Sequence, residues 1–443
     1  MSKKIHLIAT GGAIMHQLAI ALQLDGNEVT GSDDKISDPA KSNLEKRNLL
    51  PKEGWFPERI TKELDFVVLG MHAKIDNPEL LRAQELGLRV VSFPEYVADK
   101  CKDKIRVVIG GSHGKTSTTA MVMHVLHFAG LDFDYLVGSK LDDFERMVSF
   151  SNAKIAVIEG DEYLTSPLDR RPKFHWYHPQ IAVLTGVSID HVNVFPTEEI
   201  YEEQFKIFID QMGATDSLFY FEEDKALQRL TKKSKCKSTP YNSMPHVIEN
   251  GKTYLLKANG EKVALKVFGN HMLQNMNSAF LVCKKLGVEE DVIYESFGTF
   301  GGTARRMEVI KETEDCLIMR DFAHSPSKLE ATVEAVKSQY KDRELVAFFE
   351  LHTFSSVQKD FLPRYKKTMQ AADVSYVFLD EKVFAQKGQA VPSKEEVAMA
   401  FENVEVLLTE EEFKAAVSKE NIGKNTLLFM SSGTFSGMDF SKI

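Results

Sequence analysis

The segment VVIGGSHGKTSTTAMVMHVLHFAG, residues 107–130, combines residue types that can bind phosphate. A run rich in Val and Ile leads into small residues, and a helical pattern begins at Lys115 or Thr116 and continues to Gly130. Backbone N–H groups and the positive end of a helix dipole would converge there, which favours an anion. Lys115 would reach the β- and γ-phosphates of a nucleotide, and the Thr116 hydroxyl group would face Mg²⁺.

The spacing of this loop departs from the common pattern G-x-x-x-x-G-K-[ST], in which the first glycine would stand at Ile109. The nearest glycines are Gly110 and Gly111, so the segment is either a shorter phosphate loop or an accidental match. By itself, the Gly-Lys-Thr triplet is equally compatible with a tight strand–helix turn that carries an exposed lysine.

Two other Val- and Ile-rich runs in the same part of the chain end in polar side chains. The run VIEGDEY, residues 157–163, ends with three carboxylates within four residues, and VLTGVSIDHVNVF, residues 183–195, contains Asp190 and His191. Ligands bind at the carboxyl ends of strands in open α/β sheets, and Mg²⁺ prefers oxygen ligands. Each run alone is compatible with a solvated loop or a helix cap, but three such strand ends together favour a nucleotide–metal site.

The composition argues against several classes of protein. A chain of 443 residues is too long for one hydrophobic core, so two or three domains are expected. The net charge of -9 argues against nucleic acid as a partner. The four cysteines lack the C-x-x-C spacing of a zinc site and are too scattered for a disulfide scaffold. Because no stretch of about 18 apolar residues occurs, we expect a soluble, cytoplasmic protein with no membrane partner.

Short apolar runs alternate with helical patterns along most of the chain, which is typical of α/β proteins with parallel sheets. The chain divides into blocks at residues 1–104, 105–303 and 304–443, and the charged stretch DKCKDK at the end of the first block is a plausible linker. Within the second block, residues 215–265 contain short strands and turns that could form a side sheet.

The order of five motifs resembles the Mur ligase family, ATP-dependent enzymes that join amino acids or peptides to UDP-N-acetylmuramic acid. GGSHGKTSTT is similar to the shortened phosphate loop of that family, G-T-H-G-K-T-[ST]-T, and EGDEY is similar to its E-A-D-E. DHVNVF, GTARRME and RDFAHSP resemble its D-H-x-D-x-[YF], G-x-x-R-R-[FM]-E and D-D-[YF]-[AG]-H-H-P. The resemblance implies a Rossmann-like UDP-binding domain, a central domain of the P-loop ATPase type with a parallel sheet, and a C-terminal Rossmann-like domain.

The resemblance also implies ATP as substrate and Mg²⁺ as cofactor, with specific residues in each role. The residues implied to bind ATP are Gly111, Ser112, His113, Gly114, Lys115, Thr116, Ser117, Asn275, Arg305, Arg306 and Asp321. The implied metal ligands are Thr116, Glu159 and His191. The implied catalytic residues are Lys115, His191, Arg306 and His324, with the two histidines as candidate bases. GNHMLQN, residues 269–275, resembles the adenine-contacting G-x-H-N-x-x-N, except that Met272 stands where an asparagine is usual.

The N-terminal block resembles the UDP-binding domain of two branches of the family. Both branches open with H-x-x-G-[IC]-[GC]-G-x-x-M, and this chain has HLIATGGAIM, in which Ala9 replaces a glycine. GSDD, residues 31–34, and MHAKIDNPE, residues 71–79, match as well. The residues implied to bind the UDP-sugar are Gly11, Gly12, Ala13, Met15, Ser32, Asp33 and His72.

The two branches differ in the amine that they accept. DRRPKFHWYHP, residues 169–179, resembles the murein peptide ligases, which attach L-alanyl-γ-D-glutamyl-meso-diaminopimelate to UDP-N-acetylmuramate in peptidoglycan recycling. The loop FELHTFSSV, residues 349–357, lacks the arginines of the L-alanine ligases at Thr353 and Ser356, where they would clamp an amino-acid carboxylate. The sequence therefore favours a peptide acceptor, with UDP-N-acetylmuramate–L-alanine ligase as the alternative.

Two interpretations from other classes stay open at this point. One is a nucleotide-binding regulatory protein without ligase activity, which the departures at Ala9, Met272 and Ser325 allow. The other is a folylpolyglutamate synthase, which shares the central and C-terminal parts but begins with the ATP domain. Lys206 lies near the position of a carbamylated lysine in some Mur ligases and is interpreted as a helix-surface lysine. We expect a monomer or weak homodimer.

Overall fold

The structure, a computed structural model, describes residues 2–141, 143–188, 194–303, 307–421, 424–440 and 443. Contacts between residues divide the chain into two compact units. The first unit contains Met1–Asn242 and Asn275–Ile293, and the second contains Ser243–Gln274 and Tyr294–Ile443. The domain boundaries at residues 104 and 303 stay a prediction.

The first unit contains two sheets. The strands of the smaller sheet are β1 (Lys4–Ile8), β2 (Glu28–Ser32), β3 (Phe66–Leu69) and β4 (Val90–Ser92). Those of the larger sheet are β5 (Ile105–Gly110), β6 (Asp134–Leu136), β7 (Val148–Ser149), β8 (Ile155–Glu159), β9 (Ile181–Leu184), β10 (Ser217–Phe221) and β11 (Lys237–Tyr241). The spatial orders are β2-β1-β3-β4 and β11-β10-β9-β5-β8-β6-β7, and every pairing is parallel except that of β6 with β7.

The second unit also contains two sheets. A three-stranded antiparallel sheet consists of β12 (His246–Glu249), β13 (Lys252–Leu256) and β14 (Lys262–Ala264). The other strands are β15 (Glu308–Glu312), β16 (Cys316–Asp321), β17 (Glu344–Glu350), β18 (Val374–Phe378), β19 (Glu405–Leu407) and β20 (Asn425–Met430). Their order is β15-β16-β20-β17-β18-β19, and only β15 runs antiparallel to its neighbour.

Helices connect most of the parallel strands. They are α1 (Met15–Leu24), α2 (Ala40–Glu45), α3 (Pro78–Glu85), α4 (Phe93–Cys101), α5 (Lys115–Phe128), α6 (Glu198–Asp210), α7 (Lys225–Thr231), α8 (Asn270–Lys285), α9 (Glu290–Thr299), α10 (Pro326–Gln339), α11 (Glu381–Gln386), α12 (Lys394–Phe401) and α13 (Glu410–Glu420). Short 3-10 helices span Pro57–Arg59, Lys173–Trp176 and Lys359–Tyr365. Within the described ranges, no helix is long and apolar enough to cross a bilayer.

Strand β5 occupies the middle of the seven-stranded sheet because both of its faces are apolar. Val107, Val108 and Ile109 are fully buried, as parallel strands covered by helices require. Each such side chain contributes roughly 1.5–3 kcal/mol by leaving water. Since β5 lies between β8 and β9 and runs parallel to both, the three strands present their carboxyl ends at one edge. That edge positions the residues described below.

The predicted α/β class with parallel sheets is confirmed, and the four cysteines are free, as their spacing predicts. The side sheet predicted within residues 215–265 is smaller than expected. Strands β10 and β11 extend the seven-stranded sheet, because α7 provides the crossover that a parallel pair needs. Only β12 to β14 form a separate sheet.

Candidate active site

The phosphate loop joins the end of β5 to the start of α5, and two of its glycines adopt conformations that favour glycine. Gly111 has a φ of 123° and Gly114, which precedes the helix, has a φ of 76°. A Cβ atom on Gly111 would collide with Thr185, and one on Gly114 would collide with the carboxamide of Asn275. The loop is therefore packed tightly against β9 and α8, and the predicted nucleotide residue Asn275 lies beside it.

Other predicted nucleotide residues hold the loop in place. The Ser112 N–H donates to the Gly186 carbonyl at 2.9 Å, and the Ser112 Oγ accepts from the Ser188 N–H at 2.7 Å. The carbonyl of His113 accepts a hydrogen bond from the Thr185 hydroxyl group. Ser117 is buried in the first turn of α5. In this structure, Ser112 and His113 connect the loop to the segment that follows β9.

Lys115 is the first residue of α5 and its ammonium group turns back toward the loop. Its Nζ donates to the Gly111 carbonyl at 2.6 Å and to the Glu162 carboxylate at 2.7 Å. Burial works to lower the pKa of Lys115, but the nearby carboxylates, Glu162 and Asp161 above all, outweigh burial and raise the pKa above its ordinary value of 10.5. The lysine is therefore charged at neutral pH, as phosphate binding requires.

The two predicted metal ligands that the structure describes are in contact with each other. The Thr116 Oγ1 donates to Glu159 at 2.8 Å, and the other Glu159 oxygen accepts from the Gly138 N–H at 2.6 Å. Burial raises the pKa of Glu159 above its ordinary value, although these hydrogen bonds and Lys115 oppose the shift. A hydroxyl and a carboxylate are hard oxygen donors, so this pair fits Mg²⁺.

The third predicted metal ligand, His191, lies outside the described residues, as do Arg305 and Arg306. Within the described part of the chain, no group of three or more His, Cys, Asp or Glu side chains is arranged to hold a metal ion. The metal site therefore stays a prediction that rests on Thr116 and Glu159.

Three charged residues near the loop, Asp161, Glu162 and Lys173, were not assigned an individual role from the sequence. Glu162, the partner of Lys115, is fully buried, and Lys173 donates to Asp161 at 2.5 Å. Burial works to raise the pKa of Asp161, but Lys173 and Lys115 outweigh burial and lower it to about 2. Both acids belong to the EGDEY motif, so their position in it was a usable signal. Lys173 comes close to the loop only because the chain folds back to this edge of the sheet, and the sequence pattern does not indicate that.

Met272, which departs from the family pattern, is packed in the interior. It lies in the first turn of α8 with Leu273, and Met276 in the second turn is buried as well. An asparagine at that position would need hydrogen-bond partners in an apolar environment. Asn275, one turn later, is itself buried and keeps its place beside Gly114.

A second strand–turn–helix joins β1 to α1 in the N-terminal sheet. Ala9 has a φ of 64°, the left-handed region that favours glycine, which explains why the family has a glycine there. The Gly11 N–H donates to the Asp33 carboxylate at 2.7 Å, and Asp33 immediately follows β2. Burial raises the pKa of Asp33, although this hydrogen bond opposes the shift.

The other predicted UDP-sugar residues lie at the same edge of that sheet. Gly12 and Ala13 continue the turn, Met15 is the buried first residue of α1, and His72 is exposed beyond the carboxyl end of β3. Because β1, β2 and β3 are adjacent and parallel, their carboxyl ends share one edge. The structure therefore brings these sequence-distant residues to one side of the sheet.

The Ser32 side chain, at the end of β2, belongs to a buried polar cluster. Its hydroxyl group donates to Glu79, which also accepts from the Phe56 N–H at 2.6 Å. The Nε2 atom of His6 lies 3.0 Å from the Ser32 Oγ and 3.2 Å from the Glu79 carboxylate. The cluster of His6, Ser32 and Glu79 is fully buried. It ties β1, β2 and α3 together beneath the glycine turn, and the sequence indicated no role for His6 or Glu79.

In the second unit, Asp321 and His324 follow β16. One Asp321 oxygen accepts from the Met307 N–H at 2.8 Å, and the other accepts from the Ala323 N–H at 2.7 Å. Asp321 thus organises its own loop in this structure. The His324 Nδ1 lies 2.7 Å from the Phe322 carbonyl, and the Tyr365 hydroxyl group donates to the His324 carbonyl.

Comparisons with known proteins agree with this fold. The Mur ligase family catalytic domain matches residues 4–104, the Mur ligase middle domain matches 109–283, and the Mur ligase glutamate ligase domain matches 305–433. The UDP-N-acetylmuramate–L-alanine ligase of Sulfurihydrogenibium sp. (strain YO3AOP1) is 31% identical over 387 residues, which are 85% of this chain and 82% of the relative.

Solved structures share the whole fold. UDP-N-acetylmuramate–alanine ligase from Thermotoga maritima superposes with a TM-score of 0.73 at 21% identity, covering 98% of this chain and 97% of that one. A murein peptide ligase from Psychrobacter arcticus 273-4 superposes with a TM-score of 0.65 at 22% identity, with the same coverage. The chain belongs to the Mur ligase family. It is an ATP-dependent ligase of the kind that forms amide bonds in peptidoglycan synthesis, which argues against a purely regulatory nucleotide-binding protein.

Proposed function

We propose that this ligase joins UDP-N-acetylmuramate to the recycled peptide L-alanyl-γ-D-glutamyl-meso-diaminopimelate through an acyl phosphate. The observation that carries the choice of a peptide is the loop after β17. Ser356 is fully buried there. Its N–H donates to the Thr353 Oγ1 at 3.0 Å, and its hydroxyl group donates to the Thr353 carbonyl at 3.1 Å.

Position 356 in this turn is unsuited to an arginine whose guanidinium group would bind a substrate carboxylate. An arginine in a fully buried position would need both space and an acceptor for its charge. Between β17 and Lys359 the chain carries no arginine or lysine, so the bidentate clamp that suits a free amino-acid carboxylate is missing from this loop. A peptide offers more groups for recognition, and its carboxylates lie farther from the reacting amine.

In the proposed reaction, the muramate carboxylate attacks the γ-phosphorus of ATP and the bond to ADP breaks. The peptide amine then attacks the acyl carbon of the acyl phosphate, and inorganic phosphate leaves as the amide forms. Lys115 neutralises charge on the β- and γ-phosphates, and Thr116 and Glu159 are the residues that would hold Mg²⁺. The bound metal supplies further positive charge to the transferring phosphoryl group. The acyl phosphate must be kept from water.

The remaining predicted residues have proposed roles as well. Asn275 borders the loop and is proposed to contact the nucleotide, and Arg305 and Arg306 are proposed to reach its phosphates. His191 and His324 are the candidate bases for the amine proton. If the His324 Nδ1 donates to the Phe322 carbonyl, the neutral ring has its basic lone pair on Nε2.

The test measures ADP release with UDP-N-acetylmuramate and either L-alanine, L-alanyl-γ-D-glutamate or the tripeptide. We expect the tripeptide to give the highest kcat/KM and L-alanine to give little release above background. Reactions without UDP-N-acetylmuramate measure uncoupled hydrolysis of ATP, and mass spectrometry identifies the product. Release driven by L-alanine, with UDP-N-acetylmuramoyl-L-alanine as product, would overturn the choice of a peptide.

The alternative is an L-alanine ligase, and the curated relatives favour it. Relatives from Sulfurihydrogenibium, Carboxydothermus and Desulforamulus species are named UDP-N-acetylmuramate–L-alanine ligase. At 31% identity or less, a change of acceptor needs only a few different side chains around the amine. The same assay decides between the two.

A further inference from the structure

The carboxylates at and just beyond the carboxyl end of β8 divide into three pairings at the phosphate loop. Glu159 accepts from Thr116 and the Gly138 N–H, Asp161 pairs with Lys173, and Glu162 pairs with Lys115. The first pairing is the proposed metal site, and the second neutralises a charge within its own segment. The third joins a buried carboxylate to the lysine that the nucleotide phosphates need.

The backbone on both sides of Glu162 is hydrogen-bonded, whereas the Lys115 ammonium group stands at the end of a long side chain. The segment around Glu162 is closed by hydrogen bonds from the Lys173 N–H to the Tyr163 carbonyl at 2.9 Å and from the Phe174 N–H to the Asp161 carbonyl at 3.1 Å. Lysine has a long stem with several rotatable bonds. A phosphate that binds in the loop would therefore either share the Lys115 ammonium group with Glu162 or draw it away from that carboxylate.

We propose that Glu162 is a positioning residue that sets the affinity of the enzyme for nucleotide by competing with the phosphates for Lys115. The competition is electrostatic, because the carboxylate and the phosphates are alternative anionic partners of one ammonium group in a buried site. It keeps product ADP from binding too tightly and aims the ammonium group into the loop. The proposal requires ATP binding at this loop and is independent of the amine that the enzyme accepts.

The first measurement is the affinity for ADP of the Glu162→Gln variant, by isothermal titration calorimetry with and without Mg²⁺. We expect the variant to bind ADP about tenfold more tightly, both with and without Mg²⁺, because Lys115 then loses the carboxylate that accepts its hydrogen bond and competes with the phosphates. In steady-state assays the KM for ATP should fall and kcat should fall with it. An unchanged or weaker affinity for ADP would overturn the proposal.

A double-mutant cycle separates action through Lys115 from direct repulsion of the phosphates. If Glu162 acts through the lysine, adding Glu162→Gln to Lys115→Ala leaves the weak affinity for ADP unchanged. If Glu162→Gln raised the affinity for ADP tenfold both in the original protein and in Lys115→Ala, Glu162 would repel the phosphates directly. That result would overturn the proposal. Glu162→Asp, which keeps the charge, should restore most of the original affinity.

Asp134→Asn is a matched control for the loss of a buried charge pair. Asp134 is buried and lies 2.6 Å from the Nζ atom of Lys104, but this pair stands at the amino ends of β5 and β6, away from the phosphate loop. The control should lower the melting temperature and leave the affinity for ADP unchanged. If Glu162→Gln also lowers the melting temperature, saturating ADP should raise the melting temperature of the variant by more than it raises that of the original protein.

Discussion

Two glycine turns in the first unit have the same backbone plan but different chemistry. Each follows a buried parallel strand, opens a helix and faces a carboxylate from a neighbouring strand end. In the turn after β1, Asp33 accepts a hydrogen bond from the backbone N–H of Gly11. In the turn after β5, Glu159 and Glu162 accept hydrogen bonds from the side chains of Thr116 and Lys115.

The difference indicates which ligand each turn suits. A carboxylate on the Gly11 N–H repels a phosphate at that point, so the diphosphate of a UDP-sugar is expected to use the N–H groups that follow. At the phosphate loop, the ammonium group of Lys115 and the hydroxyl group of Thr116 are paired with Glu162 and Glu159, and this combination of a cation with oxygen donors would suit a triphosphate with Mg²⁺. The charged side chains around a turn, more than its glycines, distinguish the two.

The largest effect is expected from Lys115→Ala in the second of these turns. Loss of its charge from the transferring phosphoryl group should lower kcat about 10³-fold or more, measured as ADP release. Lys206→Ala is the matched control, because Lys206 is a half-exposed residue of α6 that pairs with Glu203 and Asp210. Full turnover by Lys115→Ala would contradict the interpretation that the charged side chains of the second turn act on the phosphates.

The next effect is expected from Glu79→Gln beneath the first turn. Burial works to raise the pKa of Glu79, but hydrogen bonds from His6, Ser32 and the Phe56 N–H outweigh burial and lower it below 4.5. A lowered carboxyl pKa contributes stability above pH 4.5 that is lost as the pH falls below it. The variant should lose about 3 kcal/mol of unfolding free energy at pH 7.

Guanidinium unfolding of both proteins at pH 7 and at pH 4 tests this prediction. The difference between them should shrink at the lower pH, because Glu79 in the unfolded chain, with its ordinary pKa of 4.5, is then largely protonated and folding must remove that proton. A difference that stayed constant with pH would show that the ionised carboxylate is not what stabilises the turn.

The next largest difference is expected in stability, when one glycine of each turn is replaced by alanine. Gly114→Ala combines a positive φ with a collision against Asn275, so it should cost about 1–2 kcal/mol of stability and weaken ADP binding. At Gly12, an added Cβ has its nearest contacts at 3.7 Å and φ is not positive, so Gly12→Ala should unfold at the same denaturant concentration as the original protein. Equal destabilisation by both changes would contradict the difference in packing.

The smallest effect is expected from Ala9→Gly, which removes the left-handed alanine before the first turn. The change should stabilise the protein by about 1 kcal/mol or less, since relief of the strained φ is partly offset by the entropy of glycine in the unfolded chain. Thermal unfolding at one pH measures it. A lower melting temperature would mean that packing of the alanine methyl group outweighs its backbone strain.

The sequence predicted the parts of the site that lie close together along the chain. The strand–loop–helix around Lys115 and the acids after β8 follow from local patterns, and the parallel class follows from the alternation of strands and helices. The size of the side sheet was overestimated, because β10 and β11 look the same in sequence whether they extend the main sheet or form another. The pairing of Glu162 with Lys115 joins residues 47 positions apart and could not be predicted from spacing.

The amino-acid sequence was enough to specify the family, the α/β class and the strand–loop–helix at Lys115, because these depend on residue types at short, regular intervals. Which carboxylate faces which partner depended on the order of the strands, since that order sets which strand ends become neighbours. Asp33 reaches Gly11 because β2 lies beside β1, and Glu162 reaches Lys115 because β8 lies beside β5. The electrostatics of both turns therefore arise from contacts that exist only after the sheets assemble.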